Sequence, residues 1–399
     1  MMRAFLILFS VLALFCGNAN AQGISGGVVS IDKGLSKVPV YNIAVSADTP
    51  ELKAAATRAF SSHGSYNIVQ EKSSQFVFHF TSVGVNAVKL SIKGGGTFEQ
   101  IVYGDSTFNA LMRACDLAVV KTLGGNGYFA GKITFASDKT SHKEIYAGDL
   151  FFNRVRQLTN DKSESIFPLW SADGTKILYS GYYRSGFMDL YELDLSKGTR
   201  RPFAQYRGAN AGGAPSPDGS KVAMILTTSG NAEIWLADSN GRNVKRLTKT
   251  QAVESSPNWS PDGKTLVFAS DARGGPQIYK MSVNGGKFVR VPTNISGYCS
   301  EPSFNPVDPS KIVFTAAVAR GFQVAVYDAK ERKSKFITSG SERCSQPKWL
   351  ADGRHIIFTK EKGGKRSLWI VDSERGKQTL LHSKSIGNCC EASYFYPTR

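Results

Sequence analysis

The sequence predicts two domains: a small α/β domain, followed by an all-β six-bladed β-propeller that the C-terminal strand closes. Three observations predict this architecture. An apolar pair repeats every 44 to 46 residues, aromatic residues recur with the same spacing, and the first and last repeats are each incomplete. A chain of 399 residues is also longer than one hydrophobic core normally supports. We expect the α/β domain at 38–131 and the propeller at 132–399.

The apolar pair marks one strand of every repeat, because it lies each time inside a short β-branched or aromatic run. Four-stranded units that recur at 40 to 50 residues are typical of propeller blades. The six pairs are Ile145-Tyr146, Leu190-Tyr191, Ile234-Trp235, Ile278-Tyr279, Val324-Ala325 and Leu368-Trp369.

The second signal is a position that is aromatic in five repeats out of six. Asp-Gly turns follow it, as in Ser260-Pro261-Asp262-Gly263, and such turns accept the positive φ of tight hairpins. The fifth repeat departs from this pattern, with Asp308-Pro309 in place of Asp-Gly. We interpret the aromatic residues as blade packing rather than ligand platforms: Trp170, Trp259, Phe304, Trp349 and Tyr394, with Pro215 in the remaining repeat.

Incomplete end repeats set the number of blades. The first repeat, 132–161, lacks an opening strand, and the segment 389–396 is an opening strand without the rest. If the C-terminal strand completes the first blade, six whole blades result and no sheet edge is left at the junction.

The region before the repeats alternates strands with helices. Thr49 and Pro50 are typical of a helix start, and a second helix is expected from Ser106 to Leu123. Strands are expected at 40–46, 66–69, 75–81, 87–93 and 97–103, which together predict one sheet with two helices.

The first 21 residues predict a signal peptide. Arg3 precedes the apolar run from Ala4 to Phe15, and Ala19-Asn20-Ala21 offers a cleavage site. No other run approaches the roughly 20 apolar residues of a spanning helix. We therefore expect an exported, soluble chain whose residues 22–37 form an N-terminal extension able to add a strand to a partner's sheet.

The formal charge of +17 favours an acidic partner or an anionic surface, although lysines could simply solvate turns and strand edges. Export argues against nucleic acid as the partner. No spacing of the five histidines is typical of a metal site, and the sequence predicts neither a cofactor nor a catalytic group.

The cysteines leave two interpretations open. Cys299, Cys344 and Cys389 occupy equivalent positions of neighbouring repeats, and Cys390 follows directly. Two of them could bridge the closing strand to an adjacent blade, with Cys115 a buried free thiol; alternatively, all are small buried residues without a bond.

The order of leader, short extension, α/β domain and six blades resembles the TolB-like periplasmic proteins of the Tol-Pal system. The most specific matches are Pro257 to Lys264, Gln277 to Lys280 followed by Asn284-Gly285-Gly286, and Arg246-Leu247-Thr248. The resemblance implies a periplasmic, non-enzymatic scaffold that supports outer-membrane integrity and cell division.

Two partners follow from this resemblance. A Pal-like peptidoglycan-associated lipoprotein would bind at the propeller's channel mouth, and a TolA-like inner-membrane protein would bind the extension at Val28, Val29, Ile31 and Asp32. We expect a monomer that contacts membranes only through its partners. The channel-mouth residues matched by the resemblance are Ile166, Phe167, Asn210, Glu254, Ser255, Ser256, Glu301, Gln346 and Glu391.

The alternative function is an exported propeller-type hydrolase or a glycan-active or glycan-binding protein that uses carboxylates such as Glu254 and Glu301. A propeller peptidase would also need a hydrolase domain of roughly 200 residues, for which the chain has no room. A third interpretation, a ligand-binding propeller of the outer surface, leaves the α/β domain unexplained.

Overall fold

The computed structural model describes residues 39–183 and 185–397. It has an N-terminal α/β domain and a six-bladed propeller, as the sequence predicts. The N-terminal sheet has the strand order β2-β1-β3-β4-β5, with β1 parallel to both of its neighbours and the other pairs antiparallel. Its strands are β1 (Tyr41–Ala47), β2 (Tyr66–Ile68), β3 (Phe76–Ser82), β4 (Ala87–Lys93) and β5 (Thr97–Tyr103).

Two helices cover this sheet, and each begins at a side-chain cap. In α1 (Pro50–Ser62), Thr49 accepts a hydrogen bond from the Leu52 amide at 3.3 Å. In α2 (Thr107–Leu123), Ser106 accepts one from the Asn109 amide at 3.1 Å, and Gly124 ends the helix at φ 73°. Glycine suits that left-handed position because it has no Cβ.

The propeller has six four-stranded antiparallel blades, and the last strand of the chain belongs to the first blade. Tyr394 on β29 pairs with Ile133 on β6, and β6 pairs with β7, which carries Tyr146. The predicted circular closure is therefore confirmed. Blade 1 consists of β29 (Cys389–Phe395), β6 (Lys132–Thr140), β7 (His142–Asp149) and β8 (Val155–Gln157).

The other five blades follow one another along the chain, each with its first strand innermost. Blade 2 is β9 (Ser165–Trp170), β10 (Lys176–Gly181), β11 (Asp189–Asp194) and β12 (Thr199–Ala204); blade 3 is β13 (Asn210–Pro215), β14 (Lys221–Leu226), β15 (Glu233–Asp238) and β16 (Lys245–Arg246). Blade 4 is β17 (Glu254–Trp259), β18 (Thr265–Ser270), β19 (Gln277–Ser282) and β20 (Val289–Arg290). Blade 5 is β21 (Cys299–Phe304), β22 (Lys311–Val318), β23 (Gly321–Asp328) and β24 (Lys333–Phe336); blade 6 is β25 (Arg343–Trp349), β26 (His355–Lys362), β27 (Lys365–Asp372) and β28 (Gln378–Leu380).

The repeated residues pack as expected. Each apolar pair lies on the third strand of its blade, and Trp170, Trp259 and Trp349 are all buried between blades. The Trp259 indole donates a hydrogen bond to the Ala214 carbonyl of blade 3 at 2.8 Å. These rings therefore join neighbouring blades, as the packing interpretation required.

One hydrophobic core runs from the α/β domain into blades 6 and 1. It includes Phe60 and Leu111 of the first domain together with Ile133 and Ile357 of the propeller. Arg58 on α1 donates hydrogen bonds to the carbonyls of Phe151 and Leu381, both in the propeller. The two domains are thus packed against each other through shared apolar surface.

The C-terminus fastens the domain junction. Asp116 on α2 accepts hydrogen bonds from the amides of Phe129 and Ala130, at 2.7 and 3.0 Å, and from the Tyr396 hydroxyl at 2.7 Å. The Tyr394 hydroxyl donates to the Tyr128 carbonyl at 2.7 Å. One buried carboxylate therefore joins α2, the segment after it and the final residues of the chain.

Candidate functional site: the channel mouth

The innermost strands of the six blades surround a central channel, and every one of them is interrupted at the same place. Each strand slips by one residue against its neighbour, so that two of its residues face one partner residue. The first residue of each bulge has a positive φ, between 53° and 66°. These six bulge residues are Phe167, Gly212, Ser256, Glu301, Gln346 and Glu391.

The bulges turn side chains and amides toward the channel instead of into the strand pairing. A signal for them was present in the sequence, because Pro168, Pro257, Pro302 and Pro347 come directly after four of the bulge residues. Proline cannot donate to a strand ladder and is tolerated inside a sheet mainly at edges and bulges.

On one side of the channel the bulge residues are linked from blade to blade. Glu301 accepts a hydrogen bond from the Gln346 amide at 2.7 Å, and Gln346 in turn accepts one from the Glu391 amide at 3.2 Å. Glu391 accepts one from the Phe167 amide at 2.8 Å. Blades 5, 6, 1 and 2 are therefore joined in sequence by side chains that satisfy the amide of the next bulge.

Threonines on the second strands complete this linked side. Thr315 donates to Glu301 at 2.6 Å, and Thr359 donates to Gln346 at 2.7 Å. Lys143 lies 3.9 Å from the second carboxylate oxygen of Glu391. The polar groups of this side are consequently occupied within the protein.

The other side of the channel is open. The bulge residue Gly212 has no side chain that could bond to blade 4, and its amide donates a hydrogen bond to Ser180 of blade 2 at 3.2 Å. A chamber of about 140 Å³ lies there, and a Cβ built on Gly212 would find its nearest neighbour, Ile225, at 3.8 Å. The chamber's apolar wall comes from blades 2 and 3: Phe167, Pro168, Leu169, Ala211, Ile225 and Ala232.

Three charged side chains border the chamber on the linked side: Glu301, Lys348 and Glu391. Burial raises the pKa of Glu301 and lowers the pKa of Lys348, while the charge of each opposes the shift of the other. No described group forms an ion pair with the Lys348 ammonium within 4.0 Å. The chamber therefore combines an apolar wall with a single cationic side chain.

Glu254, in contrast, is held inside the blades. It is fully buried and accepts hydrogen bonds from Ser270 at 2.9 Å and Thr250 at 3.0 Å. Burial and the neighbouring carboxyl group of Glu233 raise the pKa of Glu254 to about 8. Hydrogen bonds from Thr248, the Thr250 amide and Arg246 outweigh burial and lower the pKa of Glu233. Glu254 is therefore engaged in structural contacts.

The structure brings the predicted channel-mouth residues to one end of one channel, but it gives them different exposures. Phe167, Ser256, Glu301, Gln346 and Glu391 are bulge residues, and Ser255 lines the chamber. Ile166 is buried in a cluster with Met188, and Asn210 is fully buried, with its amide donating to the Tyr206 carbonyl at 2.9 Å. The predicted extension residues Val28, Val29, Ile31 and Asp32 lie outside the described residues.

The sequence analysis missed several lining positions. Leu169, Ile225 and Lys348 border the chamber, yet none of them was among the predicted residues. Counting along the repeat does identify Gly212, which lies 45 residues after Phe167 and 44 before Ser256. Lys348 lies two residues after the bulge residue Gln346.

Of the two interpretations of the cysteines, the disulfide is not formed in this structure. The five described cysteines are all buried and free. The Cys299 thiol contacts the Ser296 carbonyl at 3.7 Å, Cys344 contacts that of Glu342 at 4.0 Å and Cys389 that of Gly387 at 3.7 Å. Each of these three thiols faces the loop before its own strand rather than the neighbouring blade, and Cys390 is buried beside Glu391. Among the described residues the alternative of buried thiols without a bond therefore applies.

One group of side chains has the composition of a metal site. Ligand atoms of His63, Asp352 and His355 lie within 4.8 Å of one another at the domain junction. The group already has a structural explanation. In blades 2, 3 and 4 a serine forms a hydrogen bond with the aspartate of the first turn. Blade 6 has Leu350 at the serine position, and His355 donates a hydrogen bond to Asp352 instead, at 2.5 Å.

Comparison with known proteins decides the family. A scan against family models matches the TolB beta propeller domain over residues 120–393, more than half of the chain. The chain belongs to the TolB β-propeller family. Curated TolB-family relatives in Bordetella pertussis and Bordetella parapertussis, each named Tol-Pal system protein TolB, are 30% identical over 167 residues. This alignment covers 42% of the chain and 38% of each relative's own length.

Solved structures of the TolB family share the architecture. TolB from Acinetobacter baumannii superposes with a TM-score of 0.79 at 20% identity, covering 90% of this chain and 97% of that one. A putative TolB from Agrobacterium tumefaciens gives 0.51 at 19% identity, covering 67% and 98%. At these identities the likeness shows the fold alone. In the described part of the chain, no helix is long and apolar enough to cross a membrane.

Proposed function

We propose that this protein is a non-enzymatic periplasmic scaffold of a Tol-Pal system. In this proposal it binds a Pal-like peptidoglycan-associated lipoprotein through the channel mouth and a TolA-like inner-membrane protein through residues 22–37. The complex would support outer-membrane integrity and cell division. The names of the Bordetella relatives place them in the Tol-Pal system, which supports the choice of partners.

The observation that carries the proposal is the open chamber at the channel mouth. It offers Phe167, Leu169 and Ile225 as an apolar wall beside bulge residues whose polar groups bond to one another, and it adds the ammonium of Lys348. Apolar side chains of a partner can lose water against such a wall while an acidic group of the partner pairs with Lys348, which is the arrangement of a binding hot spot.

The alternative of a carboxylate-based hydrolase is less well supported. A glycosidase needs two accessible carboxylic groups on opposite sides of the substrate. Here Glu254 is fully buried, and Glu301 accepts hydrogen bonds from Thr315 and Gln346. Both proposed carboxylates are occupied by the links that hold the blades together.

Titration calorimetry with the soluble domain of the host's Pal-like lipoprotein tests the proposal. We expect saturable one-to-one binding, and we expect Phe167→Ala to weaken it by about tenfold, since truncating a buried aromatic anchor typically costs more than 1 kcal/mol. The matched control is Phe304→Ala, which changes an aromatic residue at the end of its inner strand, outside the chamber lining. Equal weakening by both variants, or no binding by the unaltered protein, would contradict the proposal.

Binding of the TolA-like partner is tested in a separate experiment. Deletion of residues 22–37 from the mature chain should abolish binding of the C-terminal domain of the host's TolA-like protein and leave Pal binding intact. Retained TolA binding by the deletion variant would remove the extension from the proposal.

A further inference from the structure

The end of the propeller that contains the chamber also contains two sets of loops. The strands of each blade are antiparallel, so the loops between second and third strands lie at the same end as the loops that join one blade to the next. The inner strands begin at that end, and their bulges lie near its surface. We call this end, with both sets of loops, the mouth face.

Exposed charge on the mouth face is almost entirely positive. Among the described residues, nine exposed cations occupy its loops and hairpin tips, against one exposed anion, Glu164. The nine are distributed around the channel rather than gathered on one blade. We call them the cationic ring: Lys139, Lys162, Arg207, Lys249, Arg273, Arg320, Lys362, Lys365 and Lys384.

The cations of the ring are available, whereas the anions of the same loops are engaged. Lys362 pairs with Glu342 at 3.3 Å, and none of the other eight forms an ion pair with a described residue. The half-buried anions are tied internally. Asp161 pairs with Arg200 at 2.6 Å, Glu361 pairs with Arg366 at 3.1 Å, and Asp271 accepts from the Val253 amide at 2.8 Å.

The opposite end of the blades differs. Its loops and turns also carry lysines and arginines, but exposed carboxylates alternate with them: Asp173, Asp218, Asp262, Glu331 and Glu374. Neighbouring charges of opposite sign largely cancel at a distance, whereas a ring of one sign presents a net field to an approaching molecule. In physiological salt this field acts over about 8 Å.

Apolar groups accompany the ring on one side. Phe187 and Tyr206 are 47% and 41% exposed, and both lie in mouth-face loops of blade 2, the blade that supplies Phe167 to the chamber. A flat anionic membrane could contact the ring, but it could not fill a chamber recessed among the inner strands. The surface fits a protein that combines acidic side chains with an apolar protrusion.

Resting on the proposed binding of a Pal-like partner, we propose that the mouth face is an electrostatic docking face for an acidic protein surface, with the cationic ring steering that surface until its apolar protrusion enters the chamber. Charges of this kind act mainly on the association rate and its salt dependence, whereas the chamber contacts act on dissociation.

The test uses two charge-matched variants of the mature chain. The first, Arg207→Glu with Lys249→Glu and Arg273→Glu, alters the cationic ring around blades 3 and 4. The second, Arg242→Glu with Lys264→Glu and Lys287→Glu, alters three exposed cations at the opposite end of the same blades. Each variant lowers the formal charge of the mature chain by six units, three reversals of two units each, so overall charge is held equal. All six positions lie in loops or turns, and thermal unfolding confirms that both variants fold.

Surface plasmon resonance with the soluble domain of the host's Pal-like lipoprotein, in low and high salt, gives the readout. The ring variant should associate at least about tenfold more slowly than the unaltered protein in low salt and lose most of its salt dependence. The opposite-end variant should stay within about threefold. Equal rates for the two variants would overturn the docking face while leaving the proposed function in place. No binding by the unaltered protein would instead overturn the proposed function.

A second arm tests a membrane as the acidic surface. Vesicles of phosphatidylglycerol and phosphatidylethanolamine are sedimented with each variant. We expect little co-sedimentation and no difference between variants. A different result would overturn the proposal in favour of lipid: the unaltered protein and the opposite-end variant bind vesicles, the ring variant does not, and all three associate with the Pal-like domain at the same rate.

Discussion

The two halves of the channel repeat one backbone geometry with opposite results. Six bulges have nearly the same φ, yet those of blades 5, 6 and 1 carry side chains that bond the next bulge, whereas those of blades 2, 3 and 4 do not. The residues two positions before each bulge residue divide in the same way, with Cys299, Cys344 and Cys389 on the linked half and Ser165, Asn210 and Glu254 on the open half.

This difference indicates that, in one propeller, some blades can contribute mainly to stability and others mainly to binding. The linked half uses its polar groups on its own backbone, which leaves few groups for a ligand. The open half gives up those links and gains a chamber. Because both halves share the same backbone, single substitutions can convert one kind into the other.

The largest expected effect comes from filling the open half. Gly212→Phe would give the bulge of blade 3 the same residue that the bulge of blade 2 has in Phe167. The two positions have similar φ values, 66° at Gly212 and 54° at Phe167. The ring should occupy the chamber and weaken Pal binding by about hundredfold, the scale of a lost hot spot. Calorimetry measures it, and Gly212→Ala, which adds only a Cβ, is the control. Unchanged affinity in the phenylalanine variant would show that the partner does not enter the chamber.

Breaking the linked half should instead lower stability. Glu391→Ala would leave the Phe167 amide without its acceptor and should reduce the free energy of unfolding by about 2 kcal/mol, the cost of one buried unsatisfied group. Glu391→Gln keeps an acceptor and should lose less. Ser256→Ala, at the equivalent bulge of the open half, should change stability by no more than about 0.5 kcal/mol. Urea unfolding compares the three, and equal losses at Glu391 and Ser256 would remove the distinction between the halves.

The pH dependence of stability should report the titration of Glu254, the buried carboxyl group of the open half. The pKa of Glu254 is raised from 4.5 to about 8 in the fold, so the fold binds a proton that the unfolded chain releases above its lower pKa. This contribution to stability is complete below pH 4.5 and is lost as the pH rises through about 8. Glu254→Gln should flatten that decline between about pH 4.5 and pH 8, the span of the two pKa values, in urea unfolding. A parallel decline in both proteins would assign the effect to other groups.

The smallest effect is expected at the thiols of the linked half. Burial raises the pKa of Cys344 to about 11, and its thiol contacts the Glu342 carbonyl. Serine can make the same contact, so Cys344→Ser should cost less than about 1 kcal/mol. All five mature thiols should also react with an alkylating agent after denaturation without reductant, as mass spectrometry would show. If full alkylation of the denatured protein were reached only after reduction, the protein would contain a disulfide.

The sequence predicted the blades and their closure because both depend on local patterns. Strand periodicity, Asp-Gly turns and the constant spacing of Trp170, Trp259 and Trp349 each act within a few residues. The predicted channel-mouth residues lie on the inner strands of the blades, and their role in binding stays a prediction.

The sequence did not reveal which of those side chains face the channel. Asn210 and Glu254 occupy the same repeat position as Cys299, and all three are fully buried, because the bulge begins two residues later. The prolines after the bulges were a local signal of this geometry. The links from Glu301 to Gln346 and from Glu391 to Phe167 join residues 45 and 224 positions apart, and no local pattern encodes them.

The contacts of β29 make the two domains depend on one short segment. Cys389–Phe395 completes the first blade, and Tyr396 bonds to Asp116 of the α/β domain. Both sets of contacts join segments that are far apart in sequence, and such contacts form slowly during folding. A substitution that displaces β29 would therefore disturb the closure of the propeller and the packing of the α/β domain together.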